Sequence, residues 1–340
     1  MKKKAICLLL CLILAVSSTL VFSGCSNSEK LQIVYLGDSI AEALLGPSPI
    51  VERDRYGYFA VLGKDNDYYF YNRSVSGHQT AQLLEVISRD DQGAQRTATL
   101  IKTADILHIS IIGNDLLQRN VGEMVIDLMN EDTEYVDNIL DTSYSNICKI
   151  IAKLKELNPT ATIIMQTVYN PIYADSTLFN KSTREYLTQE GIGSDQYREI
   201  GKLLINRMND VLKKYKENYP NDIDLIDINK AFDDISVADA TRGENLIYSD
   251  WVHPSNEGHA VIADTTQTRL EELGLADHKK ALKNYKTLRS EQLEDLFSDS
   301  VDIKAVKKQI KKADSCSEVT NIYFRAIDGK TPVYIEGENK

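Results

Sequence analysis

Four short stretches hold the residues that could do chemistry: Gly37-Asp38-Ser39, Ser76-Gly77-His78, Gly113-Asn114-Asp115 and Asp250-Trp251-Val252-His253-Pro254. Together they offer a hydroxyl nucleophile, an imidazole to take its proton, a carboxylate to orient that imidazole, and donors for an oxyanion. Plainer readings stand beside these. Asp38 or Ser39 can cap a helix starting near Ile40. Asn114 can be a turn residue, and Asp250 with His253 a loop ion pair. His78, His108 and His259 read as structural or surface residues, His108 inside a strand and His259 on a helix. No His/Cys/Asp cluster has metal-ligand spacing. No phosphate-binding glycine loop or dinucleotide fingerprint occurs, so neither a metal nor a cofactor is expected.

The first three stretches each follow an apolar run that reads as a strand: Ile33–Leu36, Tyr68–Val75 and Ile106–Ile112. Ala161–Val168 and Ile223–Ile228 supply two more. Helices are expected over Ile40–Leu45, Tyr56–Leu62, Gln79–Ser88, Asn138–Leu157, Asp195–Tyr219 and Asn256–Leu273. The longest carries apolar residues at Ile139, Leu140, Ile147, Ile150, Ile151, Leu154 and Leu157, one face of a helix. Gly46-Pro47-Ser48-Pro49, Asn158-Pro159 and Pro220 punctuate them. Asn170–Gly193 reads as an irregular loop, the kind that often walls a pocket. Strands alternating with helices, each strand continuously apolar, predict a parallel sheet covered on both faces. The fold class is therefore α/β, a three-layer α/β/α sandwich of about five strands. Its strand exits face one edge, where such sheets bind ligands.

The main body spans residues 31–274. Beyond it the character changes over residues 275–340, a C-terminal helical/β extension. His278–Lys312 is charged and helical, whereas Val319–Glu336 is β-like with an Asp328-Gly329 turn.

The 340 residues are 43% hydrophobic and 26% charged, values of a soluble globular protein. A net charge of −11 argues against a nucleic-acid partner. Residues 1–24 read as an export signal: Lys2, Lys3 and Lys4, then apolar Ala5–Val16, then small and polar Ser17–Gly24. An uncleaved membrane anchor is the alternative. Residues 25–30 form a polar linker. Cys7 and Cys11 would leave with the signal. Cys148 and Cys316 make neither a disulfide framework nor a metal spacing. Unpaired thiols are expected, Cys148 on the apolar face of a helix, with a single bridge between them left open.

In order and spacing, the four stretches resemble the four blocks of the SGNH, or GDSL-type, hydrolases, over Leu31–Leu273. The resemblance implies an esterase or lipase with Ser39 as nucleophile and Asp250 and His253 completing the triad. It implies an oxyanion hole built from the N–H groups of Ser39 and Gly77 and the side-chain amide of Asn114. Ile112 stands where the third block often has glycine, and His78 where the second often has an acid. Phe22-Ser23-Gly24-Cys25 resembles the lipobox of bacterial lipoproteins, with Phe22 where leucine is usual. That implies a lipid on Cys25 and a tether to the outer face of a membrane. The expected partners are then a small-molecule, glycan or lipid ester and the membrane itself. Tyr169, Tyr173, Phe179 and Tyr186 alternate with Asn170, Asp175, Asn180, Lys181, Arg184 and Glu185. Such a mixed wall, with Ile112 beside Asn114, suits short acyl groups. A lipase or lysophospholipase is the alternative, and an inactive surface binding protein is the reading from another class.

Overall fold

The computed structural model describes residues 30–44, 50–89, 92–248, 250–328 and 330. The signal, the lipobox with Cys25, Gly46–Pro49 and residues beyond Lys330 lie outside the described residues. In chain order the elements begin with β1 (Gln32–Gly37), α1 (Ile50–Tyr56), α2 (Tyr58–Asp65), β2 (Tyr69–Asn72), α3 (Thr80–Ser88) and α4 (Gln92–Thr103). They continue with β3 (Ile106–Ser110), α5 (Gly113–Leu117), α6 (Val121–Met129), α7 (Glu134–Leu157), β4 (Thr162–Gln166) and α8 (Lys181–Gln189). A 3₁₀ turn over Ser194–Gln196 leads into α9 (Tyr197–Asn218), followed by β5 (Asp224–Ile226), α10 (Ile228–Ala238), α11 (Ala240–Asn245) and α12 (Asn256–Glu272). The last three are α13 (His278–Phe297), α14 (Ile303–Ile310) and α15 (Cys316–Ile327).

The five strands form one sheet in the order β2-β1-β3-β4-β5, every neighbouring pair parallel. Side chains alternate between its faces because the strand period is two. Ile33, Tyr35, Ile106, Ile164 and Ile226 enter one core, with α2, α12 and the C-terminal helices. Val34, Leu36, Leu107, Ile109, Ile163 and Met165 enter the other, with α3, α6, α7 and α9. This is the expected three-layer sandwich. The strand order reverses direction between β1 and β3, so the chain leaves these two strands to opposite sides. A crevice opens at their C-terminal ends, the place where doubly wound sheets hold ligands.

Several elements differ from the sequence reading. Of the helix expected over Ile40–Leu45, Leu45 lies outside the described residues and the rest is not a helix: residues 39–43 form consecutive turns, and Ala43 takes a left-handed φ of 58°. α8 forms inside the stretch read as irregular, its N-terminus capped by Asn180 accepting from the Thr183 N–H at 2.9 Å. Val319 begins no strand. α15 runs from Cys316, with Ser315 as its N-cap accepting from the Glu318 N–H at 3.1 Å. β-Branched and aromatic residues suggested β, but Cys316, Val319, Thr320 and Tyr323 fall at helical spacing and are all buried. Cys148 and Cys316 are both free thiols.

The C-terminal helices share the core of the sheet. α13 packs on α2, and α15 packs on α12 and α13. Arg289 of α13 is fully buried among them. It lies over the rings of Tyr285 and Tyr323 at 4.9 and 5.3 Å, and its Nη2 donates to the Tyr285 hydroxyl at 2.9 Å. Asp65 of α2 and Asp264 of α12 face this guanidinium. Burial pushes both carboxyls up, Asp264 to about 7, and the Arg289 charge opposes that rise.

Candidate active site

Gly37 ends β1 with φ +136°, and a β-carbon there would lie 1.8 Å from the Ser110 carbonyl oxygen of β3. Only glycine allows the two strands to approach so closely. The Asp38 N–H donates to that same oxygen at 3.1 Å. Asp38 does cap the following turn, accepting from the Ile40 N–H at 2.9 Å. Burial pushes its carboxyl up to about 7, against the pull of backbone N–H groups and of His253. Ser39 thus stands on a rigid, buried turn at the sheet edge, only 5% exposed. Among the described residues, neither its hydroxyl nor its backbone N–H has a hydrogen-bond partner.

The second and third stretches are clamped together. Gly77 has φ +81°, a left-handed value that selects glycine although a β-carbon there would make only an ordinary contact, 3.5 Å from the Gln118 amide nitrogen. Its N–H too has no partner among the described residues. The Asn114 amide donates to the His78 carbonyl at 3.1 Å, and the Gln118 amide donates to the Gly77 carbonyl at 2.8 Å. One N–H of Asn114 remains to meet a ligand. Ile112, before Asn114, adopts φ +86° and is fully buried. A β-branched residue held there costs about 1–3 kcal/mol. The strain explains why glycine suits this position in the sequences that these blocks resemble. Ile112 points into the core, and Ile111 lines the crevice in its place.

Two residues that sequence reasoning passed over hold this arrangement. The buried Asp115 carboxylate accepts from the Thr80 N–H at 3.0 Å, the Thr80 hydroxyl at 2.6 Å and the Ser143 hydroxyl at 2.8 Å. It thereby fixes the start of α3, just after Gly77, against the turn that carries Asn114. Glu42 accepts from the Ser76 N–H at 2.8 Å, the Ser76 hydroxyl at 2.6 Å and Arg53 at 2.7 Å. Asp115 was visible as the neighbour of Asn114. Glu42 carried no signal, because its partners lie 11 and 34 residues away in the chain.

The last stretch is a tight loop before α12. Its ends pair Ile247 with Pro254, and the Tyr248 N–H donates to the His253 carbonyl at 2.8 Å. His253 Nδ1 lies 2.6 Å from Asp250 Oδ2. Asp250 Oδ1 accepts from the N–H groups of Val252 and His253, both at 3.0 Å. Burial resists ionisation of this carboxyl, but the side-chain bond from His253 and these backbone bonds outweigh it and hold the carboxyl below the usual aspartate range. An ionised Asp250 therefore orients the ring through Nδ1 and leaves Nε2 as the proton acceptor. The Tyr169 hydroxyl, donating to the Val252 carbonyl at 2.6 Å, anchors the loop. His108 and His259 are fully buried, and burial pushes them down to about 3 and about 4. Both are neutral neighbours of Tyr58, outside the crevice.

Ser39, Asn114 and Val252 line one crevice of about 30 Å³, with Ile40, Ile111, Leu117, Val168, Tyr169 and Pro171. Of the expected mixed wall, Tyr169 and Pro171 reach it. Tyr173 and Phe179 are core residues, and Arg184 binds the carbonyls of Phe179, Ala174 and Ser176. That segment therefore gives the crevice Tyr169 and Pro171, while the Arg184 charge is engaged by the segment's own carbonyls.

The family model for GDSL-like Lipase/Acylhydrolase matches residues 33–266, well over half of the chain and including all four stretches. The chain belongs to this family. As a member it is a serine hydrolase acting on ester bonds. No curated protein matches it at a significant level. Among solved structures, it is similar to the lipase Lip_vut3 from a goat rumen metagenome, at 20% identity, TM-score 0.49, over 70% of this chain and 97% of that one. Phospholipase A1 from Streptomyces albidoflavus NA297 is 16% identical, TM-score 0.49, over 71% and 99% of the two chains. The acetyl xylan esterase AlAXEase is 15% identical, TM-score 0.46, over 71% and 100%.

Removing the Asn114 amide tests the clamp. Asn114→Ala is expected to lower kcat by about 10²–10³, the cost of one oxyanion donor, with little change in KM. A raised KM at unchanged kcat would make Asn114 a substrate-binding residue instead.

Proposed function

We propose that this GDSL-type hydrolase cleaves short-chain carboxylic esters through an acyl-enzyme, with Ser39 as nucleophile, His253 as base and Asp250 as orienting carboxylate. The observation that carries the triad is the 2.6 Å bond between His253 and Asp250, whose second oxygen is held by two backbone N–H groups. Nε2 of His253 takes the Ser39 proton as the hydroxyl attacks the ester carbonyl. Asp250 stabilises the imidazolium. The oxyanion is met by the Ser39 and Gly77 N–H groups, which have no partner among the described residues, and by the second N–H of the Asn114 amide. His253 returns the proton to the leaving alcohol, and water then cleaves the acyl-enzyme by the same route.

The short-acyl preference rests on the size of the crevice. About 30 Å³ lined by Ile111, Leu117 and Val168 supports a small apolar acyl group over a long one. kcat/KM across p-nitrophenyl esters should fall steadily as the acyl chain lengthens past butyryl. A maximum at ten carbons or beyond would favour a lipase or lysophospholipase.

The location is a second proposal and rests on residues 1–25 alone. The chain is exported, cleaved before Cys25 and tethered by lipid on that thiol to the outer face of the membrane. Mass spectrometry of the membrane fraction should find a diacylated Cys25, and Cys25→Ala should lose it. A mature N-terminus elsewhere, without lipid, would refute the tether.

A further inference from the structure

The chain is acidic overall, yet one broad groove on its surface is basic. α13 and α14 run antiparallel, fixed by Lys307 pairing with Glu294 at 2.7 Å and by Lys286 donating to the Lys311 carbonyl at 3.1 Å. Between them lies an open groove of about 940 Å³. Lys279, Lys283 and Lys286 line one wall. Lys304, Lys307, Lys308 and Lys311 line the other. On each helix these lysines recur every three or four residues, so each row is one face, about 10 Å long at 1.5 Å per residue. The acids in the lining are Glu291 and Glu294, both towards one end. Lys279, Lys283, Lys304, Lys308 and Lys311 are exposed, and their ammonium groups have no partner among the described residues. Like charges gathered in two facing rows repel one another, and the Lys307–Glu294 pair offsets only part of that cost. Leu282 and Ile310 form an apolar floor.

We infer that this groove binds a linear polymer of phosphodiester-linked polyol or sugar units. Four features choose this occupant. Lysines are flexible point charges that suit anionic groups repeated along a chain, whereas planar bidentate recognition would call for arginine. A phosphodiester carries its charge within the chain itself, so a chain lying along the groove offers each charge to both walls. A pendant carboxylate faces only one wall. Among the described residues no aromatic lines the groove to stack a base, which sets it apart from single-stranded nucleic-acid sites. A concave groove also suits a chain better than the flat face of a membrane. The site is separate from the Ser39 crevice, with which it shares no lining residue.

The test uses the full chain and long-chain inorganic polyphosphate as probe, followed by titration calorimetry at low and at physiological salt. The triple variant Lys283→Gln, Lys308→Gln, Lys311→Gln should bind about tenfold more weakly or worse. Its plot of log affinity against log salt should be shallower by about two, because fewer counterions are released. Hydrolysis of p-nitrophenyl acetate by the variant should be unchanged, which shows that it is folded. Arginine at the same three positions should restore binding. Equal affinity of wild type and triple variant would overturn the inference. So would lysine-dependent binding to phosphatidylglycerol vesicles or to duplex DNA that exceeds binding to polyphosphate.

Discussion

Ser39→Ala is expected to lower ester hydrolysis by about 10⁶-fold, the scale on which removal of a triad nucleophile acts. The residue loses one oxygen that has no hydrogen-bond partner among the described residues, so nothing in the fold depends on it. The melting temperature should stay within a few degrees of wild type. The measurement is kcat on p-nitrophenyl acetate beside a circular-dichroism melt. If the folded variant kept more than a few per cent of the rate, another nucleophile would be at work.

Asp250→Asn is expected to cost about 10⁴ in kcat. The amide keeps the shape of the side chain. If its oxygen keeps the bonds from Val252 and His253, its NH₂ faces Nδ1 and reverses the polarity of that contact. Nε2 then carries the proton and cannot accept one from Ser39. KM should change little, because Asp250 does not line the crevice. A small loss in kcat would mean that the backbone alone orients His253. The carboxyl also contributes to stability with a definite sign. Its folded value lies below that of the unfolded chain, about 3.9. The contribution is therefore fully present above that pH and disappears as the pH falls through the lowered folded value.

The sheet was legible because its central strands are continuous apolar runs. Ile33–Leu36, Ile106–Ile109 and Ile163–Met165 are buried on both faces, and no helical spacing competes with them. The strand exits followed from the same runs, and with them the positions of Ser39, Gly77 and Asn114. What escaped was set by distant partners or by ambiguous runs. The strand read over Ile223–Ile228 hid the start of α10, where Asp227 caps the helix through the Lys230 N–H at 3.0 Å. α15 was hidden by its β-forming residues, although Ser315 and Glu318 stand at capping-box spacing. The polar wall of the crevice was misjudged for a different reason. Arg184 and the loop carbonyls it binds lie five to ten residues apart, and nothing in their order says that they satisfy one another.

Arg289 ties the end of the chain to its catalytic half. Take away α13 to α15, and α2 and α12 face water with the apolar side that those helices covered. α12 starts three residues after His253. The catalytic loop and the last helices therefore rise and fall together on one free-energy curve. In an evolutionary frame, the C-terminal segment is not a detachable module. A lineage that trimmed it would first have to make two helix surfaces polar, so the last helices are held in place by the core they share with the sheet.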